Sequence, residues 1–376
     1  MLTESDSLFP QKILSATIVA SCKLNATYGH KIAIISRQKR GAFTALLGGI
    51  SVNIIYFRSV ALALFFTRCT IRIIQQLIDT PLKTIYLADD DEDDRMLIRE
   101  AIERVISDVK VIEVTDGVNL LNLLTSIEQA ADPTLILMDM NMPRLNGLEA
   151  LEVLKADPNT QHIPVLMMST TSNHELVNKA YEEGINAYIV KPVTEAEFTH
   201  LAQAIDVCFL HAYHRVSDTG GQPNLRDTSI VVIEDNPDNL VLVHSAISQT
   251  MPDVKIIELR SREHIMEFFR HELPGMQRKP HLVLQDLYFP TRDKGIELLR
   301  SIREILISQG LLAIPLVVFS YSDDPLDIQA SYRNKANGYM VKGSNVSRWK
   351  SDFNNLHHFW WNTVSFPSEK GTTGVN

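Results

Sequence analysis

Cysteine is scarce: Cys22, Cys69 and Cys208 are the only three in 376 residues, and no two stand in a CxxC pair. That excludes a disulfide framework and a thiolate zinc site, and it fits a reducing, cytoplasmic setting. Basic residues are short where nucleic acid would need them. The net charge is -9, but the residues before Thr80 carry +6, which leaves -15 on the rest. An acidic body does not suit a phosphate backbone, so nucleic-acid binding is excluded there. Hydrophobic residues make up 45% and charged residues 22%, a balance that predicts a mostly globular chain rather than a disordered one. The length allows about two or three domains.

From Lys83 the texture is one of short apolar runs alternating with amphipathic stretches, the pattern of βα units on a parallel sheet. Thr84–Ala88, Val109–Val114, Leu135–Met138, Pro164–Met168 and Ala187–Val190 read as five strands. Helices are expected over Asp93–Ile106, Val118–Gln129, from about Leu145, over His174–Glu183 and over Glu195–Cys208. A turn-rich stretch, Ser217–Asp227, marks a linker. The pattern then restarts, with strands expected at Ser229–Ile233, Val254–Ile257, His281–Gln285, Pro315–Phe319 and Gly338–Val341. The expected fold class is therefore α/β, as two tandem five-stranded domains over 83–212 and 228–367, joined by a linker at 213–227. An N-terminal extension over 1–82 and a short tail over 368–376 flank them.

In the first copy, acids gather at strand ends. Asp89 and Asp90 follow the first strand and Asp139 the third; Ser169 ends the fourth and Lys191 the fifth. The carboxyl ends of an open parallel sheet share one crevice, so these side chains should converge. Carboxylates at close quarters repel and call for a cation, and hard oxygen donors without His or Cys suit Mg²⁺. A carboxylate there is also a competent phosphoryl acceptor, and a hydroxyl and an ammonium are what a new phosphoryl group needs. Each residue alone has a blander explanation, since a DD pair after a strand is usually a helix N-cap and a Lys-Pro usually a loop. Four strand ends carrying this set in order leave coincidence a poor account.

These motifs, YLADDDEDDR, LILMDMNMPRLNGLEAL, IPVLMMSTT and AYIVKP, resemble the CheY-like receiver domain of two-component response regulators over roughly Lys83 to Leu210. The resemblance implies a flavodoxin-like, doubly wound (βα)5 fold. It also implies Asp139 as phospho-acceptor, Mg²⁺ held by Asp89, Asp90, Asp139 and the backbone carbonyl of Asn141, Ser169 as switch hydroxyl, Tyr188 as rotating aromatic and Lys191 as phosphate counter-ion. It further implies a cis Lys191–Pro192 bond. The second copy resembles the same family through VVIEDNPDN, LVLQDLYFP, PLVVFSYSD and GYMVKG. Its corresponding residues are Glu234, Asp235, Asp286, Ser320, Tyr339 and Lys342. Tyr288 stands where the first copy has Asn141, Tyr321 follows the switch hydroxyl, and Gly343 replaces a proline. The closing HHFWWNTVSFP resembles the C-terminal extension of single-domain regulators paired with bacterial phytochrome-type histidine kinases. Its aromatic residues suit a cap on this copy's core or a homodimer contact equally.

The expected function is that of a regulator without an output domain, not an enzyme. It would take phosphoryl groups from a histidine kinase or phosphotransfer protein and pass the signal to a downstream protein. A haloacid-dehalogenase-type phosphatase is the alternative, but Asp139-Met140-Asn141 lacks the second acid of its D-x-D. A flavodoxin-like cofactor binder would need a Ser/Gly-rich phosphate loop where ADDDEDD and EDNPDN stand. Ala42–Phe66 is apolar but for Arg58 and a few polar residues and admits a membrane span or a poorly structured extension. A span with a cytoplasmic body would export Arg37, Lys39 and Arg40, against the positive-inside rule.

Overall fold

The computed structural model describes residues 42–47, 50–55, 83–125, 134–210, 228–343 and 346–367. The linker expected at 213–227 and the tail at 368–376 lie outside them. The chain divides into two units, Met1–Thr80 and Pro81–Asn376. In the first, β1 (Ala42–Leu47) and β2 (Ile50–Ile55) pair antiparallel, from Ala42 opposite Ile55 to Leu47 opposite Ile50. This part of the apolar stretch, expected as a span or an unstructured extension, is thus a hairpin. Among the described residues no helix is long and apolar enough to cross a membrane.

The second unit holds two parallel sheets. In the first copy, β3 (Lys83–Ala88), α1 (Glu92–Val105), β4 (Val109–Val114), α2 (Gly117–Thr125), β5 (Thr134–Asp139), α3 (Gly147–Ala156), β6 (Val165–Ser169), α4 (His174–Glu182), β7 (Ala187–Val190) and α5 (Glu195–Ile205) alternate strictly. A wide π turn, Asp206–Leu210, extends α5. The second copy repeats the order with β8 (Ser229–Ile233), α6 (Pro237–Thr250), β9 (Lys255–Leu259), α7 (Arg262–Glu267), β10 (Leu282–Gln285), α8 (Arg292–Ser308), β11 (Leu316–Ser320), α9 (Pro325–Arg333), β12 (Gly338–Val341) and α10 (Val346–His357). The sheets run β4-β3-β5-β6-β7 and β9-β8-β10-β11-β12. Each is the 2-1-3-4-5 order whose central strand ends form the crevice. The flavodoxin-like α/β reading holds for both.

Local chemistry starts the helices where the strands end. Asp91 caps α1 by accepting from the amides of Asp93 and Asp94, and Asn146 and Thr194 form capping boxes with Glu149 and Glu197. Helix α1 buries Ile98, Ala101 and Ile102, a one-sided stripe at helical spacing. Strands β6, β8 and β11 are buried throughout, as strands covered on both faces must be.

The two copies are not separate beads. The apolar cluster on the α1 and α5 side of the first sheet runs on through Phe198, Phe209 and Leu210 into the core of the second copy. Phe209 meets Phe359 edge-on at 5.7 Å. The opposite face of the first sheet has its own cluster, including Ile136, Met138, Leu151 and Tyr188. Asn186 and Asn337, at matching places before β7 and β12, bond across the junction in both directions. The Asn186 amide donates to Ala336 O at 3.0 Å, and the Asn337 amide donates to Asn186 O at 3.1 Å. Beyond a further π segment, His358–Thr363, β13 (Val364–Ser365) joins the first sheet antiparallel to β7, with Val364 opposite Ile189 and Ser365 opposite Tyr188. The closing aromatic segment therefore does more than cap its own copy: Trp360 is buried there, and the chain end adds a strand to its neighbour.

Candidate functional site

In the first copy, Asp89 follows β3 directly and Asp139 ends β5, and both are buried. Asp90 is exposed, yet one oxygen from each of Asp89, Asp90 and Asp139 lies within 4.8 Å of the others. This is a hard-donor set of the kind a divalent cation takes. Asn141 donates its backbone N–H to Asp139 Oδ2 at 3.2 Å. Gly147 lets the start of α3 close under Asp139, since a Cβ there would stand 2.4 Å from Asp139 O.

Lys191 enters from the end of β7. Its Nζ lies 2.7 Å from Asp89 Oδ2, 2.8 Å from Asp94 Oδ2 and 3.4 Å from Asp139 Oδ1. Burial pushes the Asp139 carboxyl up to about 6, with Lys191 opposing and Asp89 adding to the rise. Asp89 is raised too, mainly by burial. Burial works against the Lys191 charge, but hydrogen bonds to Asp89 and Asp94 and the charge on Asp139 hold it above its ordinary value. The two acids are raised first by burial and the lysine by its carboxylate partners, the behaviour of a charged cluster taken partly out of water.

Ser169 is fully buried at the end of β6, and its Oγ accepts from Thr171 N at 3.3 Å. Tyr188 is fully buried as well, its hydroxyl donating to Thr171 O at 3.2 Å, so the ring already points inward. The Lys191–Pro192 bond, expected cis, is trans; among the described residues the cis bond is Phe289–Pro290. The X–Pro preference is only about 0.5–1 kcal/mol, small enough for loop context to decide it.

The second copy assembles the same residue types differently. Lys342 is buried, with Nζ 2.6 Å from Glu234 Oε2 and 3.0 Å from Asp286 Oδ2. Burial raises the Glu234 carboxyl, and Lys342 opposes the rise. Asp235 turns to a small cleft with Arg260, Arg262 and Lys294. The oxygens of Glu234, Asp235 and Asp286 do not draw together as those of Asp89, Asp90 and Asp139 do. Ser320 is buried, its Oγ accepting from Ser322 N at 3.3 Å, and the Tyr339 hydroxyl donates to Ser322 O at 2.8 Å. Tyr288 gives its amide to Asp286 Oδ1 at 3.2 Å, as Asn141 does to Asp139. Its ring leads away from the acid pair to bond Asp327 Oδ2 at 3.0 Å, and Asp327 is also held by Ser322 and Arg292. The Tyr321 ring stands 5.2 Å from Lys342 Nζ, and its hydroxyl meets Asn239.

Two parts of this arrangement escape sequence reading. Asp94 stands in the first turn of α1, but it sits within an acidic run where any residue could serve as a cap. The Tyr288–Asp327–Ser322–Arg292 network joins residues up to 39 apart in the chain and leaves no local pattern.

A family profile described as "Response regulator receiver domain" matches residues 85–203. The chain is similar to response regulator Rcp1 of Synechocystis sp., at 30% identity over 35% of this chain and 90% of that protein. It is also similar to a chemotaxis protein CheY homolog of Campylobacter jejuni, at 34% identity over 29% of this chain and 82% of that protein. Among solved structures, that of the phosphorylated cyanobacterial phytochrome response regulator RcpA matches at 30% identity, covering 34% of this chain and 92% of that one, with a TM-score of 0.31. With nine-tenths of Rcp1 matched at that identity, the chain belongs to the CheY-like response regulator receiver family.

Proposed function

We propose that the protein is a two-component response regulator that accepts a phosphoryl group on Asp139, and a second on Asp286, and signals by phosphorylation-dependent protein contact. The observation that carries this reading is the acid cluster at the end of β3 and β5 with Lys191 3.4 Å from the acceptor oxygen. The donor is a phosphohistidine on a kinase or phosphotransfer protein. An Asp139 oxygen attacks phosphorus, the P–O bond forms as the P–N bond breaks, and the imidazole leaves with the bonding pair and picks up a proton. Lys191 and the Ser169 hydroxyl would bind the phosphoryl oxygens. Asp89, Asp90, Asp139 and the Asn141 carbonyl fit a Mg²⁺ ion, which when bound offsets charge on the transferring group. Glu234, Asp235, Asp286 and Tyr288 are the corresponding set in the second receiver, where the acids lie further apart.

The test uses the full chain with acetyl phosphate and Mg²⁺. In an Asp286→Asn background, Asp139→Asn is expected to abolish acid-labile phosphate. Undiminished labelling would refute the acceptor, and multiple turnover of a phosphate ester would favour a phosphatase instead.

A further inference from the structure

We infer that Asp94 is a positioning residue that holds Lys191 away from the acceptor in the first receiver, and so weakens the phosphorylated state at Asp139. The inference rests on Asp139 being the acceptor. Its first support is geometry: Lys191 Nζ sits 2.7 and 2.8 Å from Asp89 and Asp94 but 3.4 Å from Asp139. Its second support is a natural contrast within the chain. Asp94 comes five residues after Asp89, and Asn239 comes five residues after Glu234. Asn239 carries no charge to hold a lysine; its amide donates to Glu234 Oε1 at 3.1 Å instead. In that receiver the lysine stands 3.0 Å from its acceptor, Asp286.

The consequence follows from charge. Before transfer, one ammonium faces three carboxylates in the first receiver and two in the second. An aspartyl phosphate carries close to two negative charges where the free carboxylate carried one, spread over three outward oxygens, and the lysine must swing to it. In the first receiver that swing breaks the Asp94 pair, so Asp94 competes with the phosphoryl group for Lys191. In the second, nothing equivalent is broken. Asp94 is suited to this use because its side chain is 34% exposed and lies in the first turn of α1. Its charge can be removed without opening the core.

Beryllofluoride, a phosphoryl mimic, reads the equilibrium directly when titrated into the full chain with Mg²⁺ and followed by fluorine NMR. The two bound signals are assigned with Asp139→Asn and Asp286→Asn. Asp94→Asn is expected to tighten binding at the first receiver by about two- to fivefold, the range of a partly exposed ion pair. Asp94→Glu should restore the wild-type midpoint, and Asn239→Asp should weaken binding at the second receiver. In a Lys191→Met background the Asp94→Asn effect should vanish, which a merely structural role would not produce. An unchanged or weakened midpoint for Asp94→Asn, or the same gain with Lys191→Met present, would overturn the inference. A wild-type protein with no signal sensitive to Asp139→Asn would overturn the acceptor assignment, and the inference with it.

Discussion

Replacing Asn186 with alanine removes a buried carboxamide that serves both receivers at once. Its Oδ1 accepts the Val165 N–H at 2.9 Å, at the start of β6 in its own sheet. Its Nδ2 donates across the junction to Ala336 O at 3.0 Å, with Asn337 O at 3.4 Å. Asn186 is 6% exposed, so water does not readily replace it. Alanine leaves the Val165 N–H and the Ala336 carbonyl without their partners. An orphaned buried group costs about 1–3 kcal/mol, and carbonyls tolerate the loss better than N–H groups. The expected destabilisation is about 2–4 kcal/mol. The assay is urea unfolding of the full chain followed by two probes. Far-UV dichroism reports both receivers, whereas the three tryptophans, Trp349, Trp360 and Trp361, all lie in the second. If the shared core makes one cooperative unit, the variant shifts both transitions together. A dichroism transition that moves while tryptophan fluorescence stays put would refute cooperative coupling. A loss below about 1 kcal/mol would show that those bonds are made equally well by water.

Ending the chain at Thr363 removes β13, and the β7 amide that faces β13 at the Tyr188–Ile189 pairs is expected to lose hydrogen-exchange protection; unchanged protection would mean that β13 adds nothing to the first sheet. Asp352 is buried in α10 with its carboxyl raised to about 6, by burial first and with Arg348 opposing. A raised acid favours the fold when protonated, so wild type should lose roughly 3 kcal/mol relative to Asp352→Asn as pH rises from about 4 to about 6, and parallel stability–pH curves would contradict this. Phosphate should load and decay more slowly at Asp286 than at Asp139, because the Tyr321 ring stands over Lys342, 5.2 Å from its Nζ, beside the buried acid pair. Faster decay at Asp286, or a Tyr321→Ala lifetime equal to wild type, would sink that account.

What could be read ahead of the structure was whatever chemistry is local. The strands were legible because both faces of a parallel sheet are covered, so LILM and VVF stand out as unbroken apolar runs. The acids, Ser169 and Lys191 were legible because each stands at or beside a strand end, where topology alone brings them together. The direction of Tyr288 was not, since its partner Asp327 belongs to a different loop. Nor was β13, because two residues carry no periodicity. The Asn186–Asn337 exchange was hidden for a related reason: an Asn before a strand looks like a turn residue until its mirror image arrives 151 residues later.

The position of β13 bears on how the two receivers can signal. In the first receiver β7, the last strand of its own copy, carries Tyr188 at one register position and leads straight into Lys191. Ser365, from the far end of the second receiver, is paired opposite Tyr188, and Trp360 just before it is buried among residues of that second receiver. A rearrangement of β7 therefore cannot stay within the first receiver. It must either carry the β13 strand with it or give up the pairing and bare a sheet edge, which natural sheets avoid. The aromatic contacts behind β13, with Trp360 stacked on Phe366 at 6.3 Å and edge-on to Phe359 at 5.0 Å, tie that strand to the core continuous with Phe209 at the end of α5. The strand and the core thus tie β7 and the end of α5 to the second copy, and a tandem chain has this connection at fixed stoichiometry, without a second molecule.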